Sequence, residues 1–106
     1  MSLTHSAIRA RIQRAFKYWR PILGLESWQL ELRYDEEEHL ATCAALPAYE
    51  EATLHFNVRR IRAELPNTYL ATEELTLHEL VHCVAWRASE RSVSRLTRAL
   101  LRARDG

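Results

Sequence analysis

Glycine and proline are scarce in this chain, two and three among 106 residues. With 47% apolar residues, that scarcity excludes collagen-like, low-complexity and disordered chains. Long hydrophobic runs are absent too. None approaches the roughly 18 residues of a membrane span, and the N-terminal MSLTHSAIRA lacks a signal peptide's apolar stretch. No membrane partner is expected, and the expected location is cytoplasmic. Cysteine is rare: Cys43 and Cys83 are too few and too far apart for a disulfide framework. A reduced protein folding as one domain, residues 1–106, is the expectation.

Charge is nearly balanced, at +1, but unevenly placed. Residues 1–20 hold five basic side chains and no acid. Residues 87–106 hold six arginines against Glu90 and Asp105. The middle is acidic. The basic ends read as solvated helix faces beside an acidic neighbour, with nucleic acid the less favoured alternative partner.

Apolar spacing gives the elements. Between Thr4 and Leu23, residues Ile8, Ile12, Ala15, Phe16 and Trp19 recur at helical spacing, and Pro21 and Gly24 mark the end. Trp28 to Tyr34 alternates as a strand with one buried face. Leu40 to Leu46, ended by Pro47, reads as a second strand, and Ala52 to Val58 as a third. Short connections predict an antiparallel meander. Thr72 to about Trp86 is a buried helix, with Thr72 as N-cap and Glu73 and Glu74 in its first turn. Glu90 to Arg104 is a last helix burying Val93, Leu96 and Leu100. Helix, three strands and two helices make an α+β class.

The chemistry sits in His78-Glu79-Leu80-Val81-His82. Histidines at i and i+4 lie one turn apart on one helix face, so both imidazoles can reach one ion, and zinc suits imidazole nitrogen. Glu79 leans off that line. Its carboxylate can take a proton from water beside the ion and return it to a leaving amine. This is the HExxH arrangement of zinc peptidases. Polar groups flanked by apolar residues on a buried helix are costly without a purpose.

On these residues the chain resembles a minimal member of the zincin-like HExxH metallopeptidases, of gluzincin type. The matching stretch is TEELTLHELVHCVAWRASERSVSRLTR, residues 72–98, supported by the strands WQLELRYD and EATLHFNV. The resemblance implies a helix and small sheet backing the motif helix, zinc as cofactor, His78 and His82 as ligands and Glu79 as general base. It also implies an edge strand that pairs with an extended peptide; Ala52–Val58 is the candidate.

A catalytic zinc takes three protein ligands plus water. Ala85 and Ala88 stand where the metzincin pattern needs Gly and His, which excludes that clan. Glu90 resembles the gluzincin third ligand, and equally suits a helix N-terminus as a dipole-stabilising acid. Asp105, His55 and Cys43 are the alternatives. His55, Tyr69 and Tyr49 are candidates to bind substrate at a developing oxyanion. Cys83 reads as an inert buried thiol, and Trp86 as core. Arg87, Arg91, Arg95, Arg98 and Arg102 form a stripe able to grip phosphates.

The function expected is hydrolysis of a peptide or protein substrate by a zinc metallopeptidase. The alternative is a zincin-like domain that holds a peptide or protein partner without cutting it, with nucleic acid a further possibility through the arginines.

Overall fold

Thr4 caps the first helix, its Oγ1 accepting the Ala7 N–H at 3.0 Å. The computed structural model describes residues 3–106. Helix α1 (His5–Ile22) buries Ile8, Ile12, Ala15 and Trp19, one stripe at the spacing the sequence shows. Pro21 lies inside the last turn, and the chain leaves through Gly24 at φ +71°. That left-handed conformation suits a residue without a Cβ.

Three strands follow: β1 (Gln29–Tyr34), β2 (Ala41–Leu46) and β3 (Glu51–Phe56). Their order is β1-β3-β2. β3 runs parallel to β1, with Leu32 opposite Leu54, and antiparallel to β2, with Cys43 opposite Leu54. The sheet is therefore mixed, not the expected meander. After β1 the chain passes over the end of β3 and enters β2 on the far edge. Asn57, almost fully buried, holds that passage: its N–H donates to the Leu40 carbonyl at 2.9 Å and its Nδ2 to the Glu37 carbonyl at 2.6 Å. A short 3-10 turn at Pro47–Tyr49 and Glu50 at φ 51° join β2 to β3.

This order corrects one expectation that bears on function. The strand expected over Ala52–Val58 ends at Phe56, and it is the central strand, paired on both sides. The edge beside the motif helix belongs to β2.

Helix α2 (Val58–Glu64) was not expected. Asn57 Oδ1 caps it by accepting the Arg60 N–H at 3.1 Å, and Val58 and Ile61 are buried. Helix α3 (Tyr69–Val84) starts a turn earlier than the spacing predicts. Thr68, not Thr72, is its N-cap, accepting the Ala71 N–H at 3.2 Å. Thr72 and Glu73 are buried inside the helix instead. Leu77, Leu80 and Val81 are fully enclosed, as a helix packed against α1, α4 and the sheet requires.

Helix α4 (Glu90–Asp105) is capped by Ser89, whose Oγ accepts the Ser92 N–H at 3.2 Å. It buries Val93, Thr97 and Leu101; Leu96 is exposed and Leu100 half-buried, a face rotated from the expected one. A buried polar cluster ties three helices together. Trp19 Nε1 donates to Glu73 Oε2 at 3.0 Å, and Arg104 donates to the same oxygen. Among the described residues, no helix is long and apolar enough to cross a membrane.

Candidate metal centre

His78 and His82 stand one turn apart on the open side of α3, their ring centroids 4.9 Å apart. Both are about one-fifth exposed, so their tips reach the surface while their stems are packed. Glu79, on the adjoining face, is only 4% exposed. A ligand atom from each of these three residues lies within 4.8 Å of the others, a spacing compatible with one divalent ion.

The α3–α4 turn adds a fourth side chain. Glu90 opens α4 and points back over α3. Its Oε2 lies 2.9 Å from His78 Nε2, and its Oε1 lies 2.9 Å from His82 Nε2. An ionised carboxylate only accepts, so each contact is an imidazole N–H donated to Glu90. The donor set suits zinc, which takes histidine nitrogen and carboxylate oxygen. Bonds of about 2.0–2.1 Å in a tetrahedral site put neighbouring donors about 3.3 Å apart. The observed 2.9 Å separations are close to that spacing.

Electrostatics favour the same use. Burial, with the Glu90 charge nearby, pushes the Glu79 carboxyl up to about 7. A carboxyl titrating near neutrality is suited to both take and return a proton. Burial lowers the His82 imidazole, against the opposing pull of Glu90, and favours the neutral ring that metals bind.

The motif opens onto a cleft of about 860 Å³. β2 lines it through Ala41, Thr42 and Cys43, and Leu65, Pro66 and Leu75 add apolar lining. Among the described residues, β2 pairs with β3 alone, so its other edge borders the cleft.

Other candidates lie elsewhere. His55 is on β3 and bonds Asp35 Oδ2 through Nδ1 at 2.7 Å, with Glu37 Oε1 at 3.4 Å. It does not line the cleft. Neither does Tyr69, whose ring lies 4.0 Å below the Arg14 guanidinium. Tyr49 is exposed in the β2–β3 turn. Asp105 pairs with Arg104 at the other end of α4 from Glu90, about 22 Å along the axis. Cys43 does line the cleft, but its Sγ meets Cys83 Sγ at 3.7 Å. Trp86 is half exposed under the Arg87 guanidinium rather than in the core.

The chain thus carries a buried HExxH motif on a helix, consistent with a zincin-type metal-binding site. Family models, curated proteins and solved structures give no match to it.

Proposed function

We propose that the protein is a minimal zinc metallopeptidase, with His78, His82 and Glu90 holding the ion and Glu79 as general base. The observation that carries this reading is the convergence of Glu90 on both motif histidines. The helix supplies two ligands at fixed spacing, and the next helix supplies the third. A zinc ion bound there contributes Lewis acidity, which acidifies water and polarises a carbonyl.

The chain's own residues do the rest. Glu79, buried beside the histidines, receives the proton of the attacking water on its carboxylate and delivers it to the leaving amine. The free edge of β2 offers backbone groups to an extended peptide, which strand addition would align along the cleft. This role passes to β2 from the Ala52–Val58 strand. The apolar wall of Leu65, Pro66 and Leu75 accepts an apolar side chain of that peptide.

One observation favours binding without turnover as a second reading. The Glu90 side chain is 76% exposed, so one side of the site is open to water. Of the arginine stripe, Arg98 faces Glu74 at 3.5 Å and Arg87, in the turn before α4, covers Trp86. Arg91, Arg95 and Arg102 are exposed on α4, and among the described residues no aromatic platform accompanies them to favour a nucleic-acid reading.

The test is zinc-loaded protein against a broad peptide library, beside Glu79→Gln. Turnover is expected in the parent and a fall of about 10²–10⁴-fold in the variant, with zinc retained by elemental analysis. Equal turnover in the variant overturns the mechanism. A zinc-loaded parent that binds library peptides without cutting them establishes the second reading.

A further inference from the structure

We propose that Cys43 and Cys83 form a redox-modifiable dithiol that closes to a disulfide between β2 and the motif helix. The two Sγ atoms already touch, at 3.7 Å, although 40 residues separate them in the chain. Both are free thiols. Cys43 lines the cleft and is half-buried; Cys83 is 1% exposed and follows His82 directly. One thiol therefore faces incoming reagents and the other waits behind it. That is the arrangement of an attacking and a resolving cysteine.

A disulfide needs its sulfurs about 2.05 Å apart. The remaining approach is about 1.7 Å. The oxidant is a small-molecule disulfide. The neighbouring Cys83 thiol and burial push the Cys43 thiol up, so the attack runs through a minor thiolate and is slow. Cys43 Sγ loses its proton and attacks one of the oxidant's sulfurs; an S–S bond forms to Cys43 and one small thiol leaves. Cys83 Sγ then displaces the second small thiol from Cys43. Two protein thiols are oxidised, one small disulfide is reduced to two thiols, and those thiols carry the two protons away.

The bond would cross from the cleft's strand wall to the residue after His82. In the reduced state, packing alone joins those two elements at this point. In the oxidised state they are covalently fixed. The assignment rests on the thiol geometry and stands whether or not the protein cuts peptides.

Folded parent protein incubated with oxidised glutathione provides the test, read by intact mass, free-thiol count and a non-reducing peptide map. The expected result is loss of both thiols, a mass lower by two hydrogens, and one peptide linking Cys43 to Cys83, all reversed by dithiothreitol. The Cys83→Ser variant is expected to stop at a glutathione adduct on Cys43, and Cys43→Ser to stay unmodified over the same time. Two thiols that stay free in the parent overturn the proposal. So does a parent that accumulates a lasting adduct on Cys43, or that links only between chains. An adduct forming readily on Cys83 in Cys43→Ser overturns the order of attack.

Discussion

Glu90 Oε1 lies 2.9 Å from His82 Nε2, although a helix end and a turn separate the two residues. The turn works because α3 stops at Val84 and Ser89 caps α4 at once, so the first residue of α4 overhangs the open face of α3. The carboxylate gains little as a dipole-stabilising acid alone, since such surface terms are worth about 0.3–1 kcal/mol.

Replacing Glu90 by Ala should therefore act on the metal first. Loss of even an outer partner of a ligand costs about 10–100-fold in affinity, and loss of a direct ligand should cost at least that. Competition with a chromogenic chelator measures it. Zinc affinity within a factor of two of the parent would remove Glu90 from the ligand set. Thermal stability of the metal-free protein should change little, because the side chain is mostly exposed.

Much of this site could be read in the sequence, and the reasons for the rest are physical. The His78–His82 pair follows from helical periodicity, a local property. The place of Glu90 was reachable because Ser89 before an amphipathic run announces a new helix. The strand order was not reachable. Six-residue strands do not encode in their own pattern whether they pair parallel or antiparallel. The edge role consequently went to β3 instead of β2. Helix α2 is seven residues long, too short for periodicity to stand out, though Asn57 before Val58 and Ile61 was a legible capping signal. The Cys43–Cys83 contact and the Glu73 cluster join residues 40 and 31 or more positions apart, beyond any local pattern.

Glu79 predicts a pH dependence of stability in metal-free protein. Its folded-state carboxyl titrates at about 7, above the ordinary 4.5. A raised carboxyl favours the folded state in its protonated form. That contribution is full below about pH 4.5 and is lost as pH rises through 7. The shift corresponds to at most about 3 kcal/mol. Glu79→Gln keeps the shape without the charge. Urea unfolding should show the variant gaining on the parent between pH 5 and pH 8. A difference between the two proteins that is the same at both pH values would count against a buried, neutral Glu79.

The Trp19–Glu73–Arg104 cluster should dominate polar stability. Glu73 is 1% exposed, and its Oε2 takes both the Trp19 N–H and the Arg104 guanidinium. Breaking a fully buried pair by removing one partner costs about 3–5 kcal/mol, because the other charge is left stranded; with Arg104 a quarter exposed, that range is the upper limit here. Arg104→Ala should thus destabilise more than Arg98→Ala, since the Arg98 side chain is 66% exposed where it meets Glu74. Exposed pairs of that kind are worth about 0–1 kcal/mol. Chemical denaturation of the two variants decides it, and equal midpoints would show that the cluster contributes no more than a surface pair.

The free edge of β2 makes the last prediction. Thr42 lies in the middle of the strand segment that walls the cleft, opposite His55 of β3. In an antiparallel pair, alternate residues turn their N–H and carbonyl groups to one neighbour and then to the other. Proline scanned across Ala41, Thr42 and Cys43 should therefore divide into two classes. Where the lost N–H served β3, the variant should lose stability. Where it faced the cleft, the fold should tolerate the change, since proline is accepted on edge strands. In that second class, peptide binding should weaken by about tenfold, the equivalent of one hydrogen bond of about 1 kcal/mol together with the clash of the ring. Isothermal titration with an uncleaved peptide, on variants first shown to melt like the parent, separates the two effects. A folded cleft-facing variant that binds peptide as tightly as the parent would show that peptides do not add to this strand.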